Sequence, residues 1–345
     1  MESVALLRTL VPLLAVAVLA SGCLSDLSAV SSSAGNADPE QAAAPSGAHA
    51  GTAATHAAPQ RTEGPVSARQ EGGQWVANRT IRIANDFGGA PRSHDVLSTF
   101  NGAISLQPST DGGYRFEAEL NGRGNSETEA RQALDLLELQ NTDDLRGDTL
   151  ELSFALTANT PAMLPIPVVL ANGVNNGAAY RLWLPSEPAH DVEAGTSNGA
   201  IAAVGLHGPH YKAGTSNGAV SANGAFDRVE AKTTNGAVSL GGGAFNDVDA
   251  ETSNGAIAVA LDPTRSATAK LTTSNGAIAV EVPRDDGTAF DITADTTNGR
   301  IVIDVEDHDS VSDDHEAYRS PGWSSADIQL TLDLQTTNGS IIVED

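Results

Sequence analysis

Two five-residue segments of this chain have the spacing of a serine nucleophile. Residues 195–199 and 214–218 both read Gly-Thr-Ser-Asn-Gly, which matches the G-x-S-x-G sequence of many hydrolases. In those enzymes the serine lies on a strained turn between a strand and a helix. Here the following residues are Ala-Ile-Ala-Ala and Ala-Val-Ser-Ala, which continue a strand. We therefore expect no hydrolase chemistry at these serines.

The densest group of candidate metal ligands lies at residues 304–316, where seven carboxylates and two histidines occur. Asp307, Asp309, Asp313 and Asp314 are the candidate oxygen ligands of a calcium-type loop, and the histidines would suit a transition metal. The EF-hand spacing with its central glycine is absent. We expect a solvated acidic insertion near residues 304–323. Calcium is the cofactor that this segment would favour, and the expectation is that the protein uses none.

Both serine segments belong to a longer series that sets the architecture. Thr-(Ser/Thr)-Asn-Gly occurs seven times, with gaps of 19, 18, 19, 21, 23 and 40 residues. The repeated asparagines are Asn198, Asn217, Asn235, Asn254, Asn275, Asn298 and Asn338. Self-similarity at this period indicates stacked repeats. It favours an extended structural or binding surface over a catalytic centre.

The register around each asparagine predicts the shape of one repeat, or rung. Thr always lies two residues before the asparagine, and Ile or Val always lies three residues after it. The apolar positions change parity at Asn-Gly, which requires a corner, and these two residues tolerate positive φ. A hairpin meander is the alternative, because Asn-Gly also favours type I′ turns. We predict a mainly β chain, a β-solenoid or β-helix-like stack of about 20-residue rungs with one flanking α-helix.

The stack also predicts contacts between rungs. Stacked Thr and Asn side chains would form hydrogen-bonded ladders. The fifth residue before each asparagine is mostly charged and changes sign along the stack, as Glu193, Lys212, Glu230, Asp249, Lys270, Thr293 and Asp333. This alternation indicates either charge pairing between adjacent rungs or a polar groove for a glycan. The sequence leaves both open.

Before the regular rungs, residues 75–188 read as strands plus a capping helix. Ser126 and Glu129 have the spacing of a capping box, which predicts a helix from Ser126 to about Gln140. Its apolar stripe must pack on an end or flank of the β-structure. The regular rungs then occupy residues 189–345.

The N-terminus reads as a processing signal. Residues 1–22 contain Arg8 followed by an apolar stretch that is too short to span a membrane. The segment Leu-Ala-Ser-Gly-Cys ending at Cys23 resembles the lipobox of bacterial lipoproteins, and Cys23 is the only cysteine. The alternative is an ordinary signal peptide. Residues 23–74 would be the lipidated cysteine and a disordered tether, which predicts an extracytoplasmic, lipid-anchored protein of the outer membrane or cell surface.

The charge balance limits the partners of this chain. Its formal net charge is −25, with 44 acidic residues against 19 basic ones. Nucleic acid is therefore not expected as a partner, because its phosphates would be repelled. Acid excess with only three lysines is typical of adaptation to high salt, or of simple solubility in an envelope protein. The membrane through Cys23, a surface glycan or an envelope protein are the partners we consider.

Several segments resemble one known family. They are the residues 121–124 Asn-Gly-Arg-Gly, the Ser-Glu-Thr-Glu-Ala helix start, the strands at 148–152 and 180–185, and the serial Thr-Ser-Asn-Gly-Ala-Ile. Together they resemble the bacterial putative-adhesin β-strand-repeat domains, a family of unknown function, over about residues 78–345. The resemblance implies a β-solenoid-like envelope domain and brings no catalytic residue.

We therefore expect a non-enzymatic, lipid-anchored cell-envelope protein that acts as an adhesin-like binding or scaffold module. The alternatives are a carbohydrate-active enzyme on a β-helix, or a sensor component of an envelope stress system.

Overall fold

The computed structural model describes residues 58–86, 91–158, 176–261, 265–283, 287–305 and 308–345. The signal segment, Cys23 and most of the predicted tether lie outside these residues. Within the described part of the chain, no helix is both long and apolar enough to cross a bilayer.

The described residues are almost entirely β-structure. The first nine strands are β1 (Gln60–Glu63), β2 (Ser67–Glu71), β3 (Gln74–Asp86), β4 (Arg92–Ser98), β5 (Ile104–Ser109), β6 (Gly113–Gly124), β7 (Leu137–Arg146), β8 (Thr149–Ala158) and β9 (Gly177–Pro185). One helix, α1 (Glu127–Asp135), lies between β6 and β7.

The repeats supply the remaining strands. These are β10 (His190–Asn198), β11 (Ile201–Asn217), β12 (Val220–Asn235), β13 (Val238–Gly241), β14 (Phe245–Asn254), β15 (Ile257–Ala260), β16 (Ala267–Asn275), β17 (Ile278–Glu281), β18 (Thr288–Asn298), β19 (Ile301–Val305), β20 (His308–Ser312), β21 (His315–Arg319), β22 (Ile328–Asn338) and β23 (Ile341–Glu344). A 3-10 turn, Trp323–Ser325, precedes β22.

Each rung has one strand that ends at the repeated asparagine and a second strand that begins three residues later. The first strands stack into one layer and the second strands into another, with β11 and β12 running through both. Adjacent rungs pair in parallel, and equivalent residues face each other, as Asn198 faces Asn217 and Ile201 faces Val220. The predicted solenoid stack is confirmed, and the hairpin meander is excluded for these rungs.

The spatial order of the last rungs differs from their order in the sequence. Strand β22 lies between β16 and β18, and β23 lies between β17 and β19. The rung of Asn338 is therefore inserted between the rungs of Asn275 and Asn298. The acidic segment forms β20 and β21, which pair antiparallel with β19 and β18. These two short strands cover the edge strands β18 and β19 of the two layers, whose backbone groups would otherwise be unpaired on that side.

The core follows the predicted change of parity at the corner. In the first rung, Val192, Ala194 and Thr196 are buried before Asn198, and Ile201 and Ala203 are buried after it. Small aliphatic residues suit the narrow space between the two layers of a rung. Larger rings are buried both in the rungs, as at Tyr211 and Phe226, and toward the N-terminal end, where Phe116 and Phe154 stack with ring centroids 3.8 Å apart.

The described end of the predicted tether is not disordered. Strands β1 and β2 both pair antiparallel with β3, and Val66 and Ala68 pack against the core. A tether from 23 to 74 is therefore wrong for its last residues. The sequence of β1 and β2 is mostly polar and shows no strand pattern, but both strands are stabilised by backbone pairing with the long strand β3.

The helix begins as predicted and ends early. The Ser126 Oγ accepts a 3.2 Å hydrogen bond from the Glu129 N–H, and Ala130 and Leu134 are buried against the sheet. The predicted end near Gln140 is wrong, because residues 137–146 form β7. Leu134 and Leu137 have helical spacing, whereas Leu137 and Leu139 have strand spacing, and pairing of Leu137 and Leu139 with β8 decides for the strand.

Candidate functional site

The corner of every rung is held by an asparagine ladder. Each repeated asparagine donates from Nδ2 to the Oδ1 of the asparagine in the neighbouring rung, at 2.5–3.0 Å. The order along the ladder is Asn101, Asn198, Asn217, Asn235, Asn254, Asn275, Asn338 and Asn298. These side chains are engaged with each other, which gives them a structural role in the stack.

The threonine two residues before each asparagine forms a second series of contacts. The Thr252 hydroxyl, for example, donates to the Gly236 carbonyl at 2.9 Å, and the other six threonines make the equivalent contact. Ser197 and Ser216 point into solvent, and the chain continues into β11 and β12 beyond them. The strand-to-helix turn that a serine nucleophile requires is therefore not formed at either segment.

The corner glycines serve close approach between rungs. We predicted positive φ at the corner, but among the corner glycines only Gly102 and Gly199 have it, at 152° and 150°. At Gly255 a Cβ would lie 1.8 Å from the carbonyl oxygen of Gly236. Stacking the rungs at the spacing of a parallel sheet leaves no room for a side chain there. The prediction of positive φ is therefore wrong for the other corner glycines, where close approach of the neighbouring rung is the reason for glycine.

The candidate metal ligands are spread along the end strands. Asp307 lies outside the described residues, Asp309 lies on β20, and Asp313 and Asp314 form the turn before β21. Asp314 Oδ1 accepts from the His315 N–H at 2.8 Å. Across the parts of the chain that the structure describes, His, Cys, Asp and Glu side chains nowhere form a group of three or more able to hold a metal ion.

A concave site lies on the outer face of the first layer, over β4, β10, β11 and β12. It is a depression of about 270 Å³. Its floor is the backbone around Gly195 and Gly214. Its rim contains Val96, Ser98, Glu193, Lys212, Glu230 and Lys232. We call it the Gly195–Gly214 depression.

Two glycines create this depression by lacking side chains. Gly195 and Gly214 pair in register, and their equivalents in the next rungs are Lys232 and Glu251. A Cβ at either glycine would meet nothing within 4 Å, so packing does not require glycine here. Glycine inside a strand usually costs stability. The two glycines therefore leave an open concave surface that the packing of the rungs does not explain, and ligand sites are concave surfaces of this kind.

The rim carries two of the three lysines in a chain of net charge −25. Lys212 Nζ lies 2.8 Å from Glu193 Oε1. This is charge pairing between adjacent rungs, one of the two interpretations of the alternating charge before each asparagine. Lys232 Nζ lies 3.5 Å from Asp249 and 3.4 Å from Glu251. The depression therefore offers fixed donors and acceptors around a flat floor.

The protonation states of the rim suit binding rather than proton transfer. The hydrogen bond from Lys212 lowers the pKa of Glu193. The same contact raises the pKa of Lys212. Each group is held more firmly in its charged form, whereas a general acid or base needs a pKa near the working pH.

The sequence analysis missed a buried ionisable pair beneath this face. His190 and Asp95 have side chains with 0% exposure, and His190 Nδ1 lies 3.3 Å from Asp95 Oδ2. His190 Nε2 lies 2.6 Å from the Pro185 carbonyl oxygen. Burial raises the pKa of Asp95. Burial alone would lower the pKa of His190, but Asp95 and the carbonyl outweigh it and raise the pKa. No local motif links residues 95 apart in the chain to such a contact.

Comparison with known proteins gives one family match and several similar folds. The family model described as Toastrack DUF4097 matches residues 187–344. Among solved structures, a putative cell adhesion protein from Clostridium sporogenes is similar at 10% identity, with 77% of this chain and 99% of that chain covered and a TM-score of 0.36. A putative adhesin from Bacteroides fragilis is similar at 13% identity, with 76% and 96% covered and a TM-score of 0.34. Among curated proteins, none matches.

Proposed function

We propose that residues 187–344, which match the family model described as Toastrack DUF4097, are the binding module of a non-enzymatic, lipid-anchored cell-envelope protein. Its adhesin-like function would be to hold a surface saccharide in the Gly195–Gly214 depression. The anchor would be Cys23, which follows a lipobox-like segment.

One observation carries this proposal: the depression exists only because Gly195 and Gly214 leave open space on an outward-facing sheet surface. The glycine floor is flat and has few polar groups, because the backbone there is already paired within the sheet. A sugar ring has a flat C–H face that can lie on such a floor, and hydroxyl groups at its edge that can reach a polar rim.

The rim matches this kind of ligand. The ammonium groups of Lys212 and Lys232 can donate hydrogen bonds, and the carboxylates of Glu193 and Glu230 can accept them. A saccharide hydroxyl both donates and accepts, so it can satisfy both kinds of group without leaving a buried charge unpaired. The raised pKa of Lys212 and the lowered pKa of Glu193 support binding without turnover.

A glycan array tests the proposal with the full-length chain. Gly195→Thr and Gly214→Thr fill the depression with the residue that Thr272 already places at the equivalent position of another rung. We expect each variant to lose at least tenfold in affinity for the saccharides that the wild type binds, without a loss of thermal stability. Thr272→Val is the matched control and should bind normally.

Two results would overturn the proposal. Failure of the wild type to bind any saccharide, or equal binding by the filled variants, would remove the depression as a saccharide site. Hydrolysis or elimination of any polysaccharide in a parallel activity screen would remove the non-enzymatic function.

A further inference from the structure

A second surface of unusual composition lies on the outer face of the other layer, toward its N-terminal end. Three neighbouring antiparallel strands, β3, β6 and β9, each place arginine there. We define the Arg–Trp patch as Arg82, Arg115, Arg181, Trp183 and Gln107.

Strand register brings these residues together. Arg115 and Gln107 both lie directly opposite Trp183, from β6 and β5. One step along the strands, Arg82 and Arg181 lie on either side of Glu117. Directly opposed side chains in a sheet are close enough to touch, and diagonal neighbours remain within reach of long ones.

The guanidinium groups outnumber the carboxylates. Glu117 pairs with both Arg82, at 2.7 Å, and Arg181, at 3.3 Å. Arg115 instead lies over the indole of Trp183, with its Cζ 4.0 Å from the ring centroid. Among the described residues no carboxylate pairs with Arg115. Arg82 and Arg181 also keep donors to spare, because each guanidinium has five N–H groups.

This positive charge is local and bounded. The whole chain has a net charge of −25, yet the patch has three guanidiniums, and Glu117 is the one carboxylate that lies among them. The next charged outward residues along the strands are Asp86 on β3 and Glu119 on β6. The attractive area for an anion therefore spans only a few residues, which fits one or two sugar units.

We propose that the Arg–Trp patch binds the carboxylate-bearing sugar units of an acidic polysaccharide. The planar guanidinium fork of Arg115 or Arg181 matches the geometry of a carboxylate. The indole of Trp183 offers an apolar face for the sugar ring, with its N–H as a donor. The Gln107 amide can both donate to and accept from a ring hydroxyl.

The proposal is independent of the Gly195–Gly214 depression, because the two surfaces lie on the outer faces of different layers and share no residue. Failure of one proposal therefore does not contradict the other. Nucleic acid fits the patch less well, because a long row of phosphates would extend over Asp86 and Glu119.

Binding of tetragalacturonate to the full-length chain tests the inference by isothermal titration calorimetry and tryptophan fluorescence. Fully methyl-esterified tetragalacturonate is the matched probe, since it keeps the rings and removes the charge. We expect the wild type to bind the free acid at least tenfold more tightly than the ester. Arg115→Gln and Arg181→Gln should each reduce that affinity about tenfold, and Trp183→Leu should weaken both binding and the fluorescence change.

Arg228→Gln is the control, because it removes the same charge from an exposed arginine of the first layer, away from the patch. It should bind tetragalacturonate as the wild type does. Equal affinity for acid and ester, equal loss in the control, or undiminished binding by Arg115→Gln would each overturn the proposal. Vesicles of phosphatidylglycerol provide the other arm: binding to them but not to tetragalacturonate would assign the patch to a lipid surface instead.

Discussion

A Cβ on Gly255 would lie 1.8 Å from the carbonyl oxygen of Gly236, the equivalent glycine in the neighbouring rung. Gly276 stands in the same relation to Gly255. The corner of the solenoid is therefore a column of glycines in contact, and each rung depends on the absence of a side chain in the next.

Replacing Gly255 with alanine should destabilise the protein. The methyl group would meet backbone that cannot move without shifting two rungs, and overpacking of this kind typically costs about 1–3 kcal/mol or more. Urea unfolding measures the change. Gly195→Ala is the control, because its Cβ would enter open space, and we expect it to leave stability unchanged or slightly higher. Similar losses at both glycines would contradict the contact.

Removing one member of the asparagine ladder should weaken two contacts. Asn254 donates to Asn235 at 2.9 Å and accepts from Asn275 at 3.0 Å. We expect Asn254→Ala to reduce the free energy of unfolding by about 1–2 kcal/mol, since each net hydrogen bond contributes roughly 0.5–1.5 kcal/mol. Ser253→Ala removes an exposed neighbouring hydroxyl and should change stability by less than about 0.5 kcal/mol. An equal effect of the two substitutions would argue against the ladder.

The buried pair of His190 and Asp95 should make stability depend on pH. Both folded-state pKa values are raised, so the native protein binds more protons than the unfolded chain. The stabilisation that protonation of this pair contributes is complete at low pH. The part contributed by His190 is lost as the pH rises above 6.5, the ordinary pKa of histidine. Thermal unfolding from pH 5 to pH 9 should show the wild type losing stability relative to the double variant Asp95→Leu/His190→Leu.

Comparing a single variant with the double variant distinguishes the interaction between His190 and Asp95 from the effect of lost packing. His190→Leu leaves a buried carboxylate without its partner, so we expect it to cost about 3–5 kcal/mol near neutral pH. The double variant should be less destabilised than His190→Leu. Additive losses, or parallel pH profiles of wild type and double variant, would show that the two groups do not interact.

The lipid anchor is a separate prediction. Replacing Cys23 with alanine removes the thiol that a diacylglycerol would modify, and the protein should then appear in the soluble fraction instead of the membrane fraction. Membrane fractionation with immunoblotting measures this. Ser21→Ala is a conservative control that keeps Cys23. Retention of the Cys23→Ala variant in membranes would refute the anchor.

The sequence alone predicted a large part of this architecture. The same residues recur at the same offsets from each asparagine, so stacking them in parallel places Thr on Thr and Asn on Asn. This predicted the rung length and the inward positions on both sides of the corner, and it left charge pairing such as the Glu193–Lys212 contact as one of two open interpretations. The Ser126 cap was likewise readable, because a capping box is a local pattern.

What the sequence could not supply depends on pairing between distant segments. The rung of Asn338 lies between those of Asn275 and Asn298 because its strands pair with both, and a similar motif would fit any place in the stack. The glycine floor at 195 and 214 becomes a depression only when in-register strands place it between Lys212 and Lys232. Arg115 and Trp183 lie 68 residues apart in the chain, and only the antiparallel register of β6 and β9 puts the guanidinium over the indole. The repeat thus determined how the rungs stack, whereas tertiary pairing decided which differing residues meet on their outer faces, where a ligand would bind.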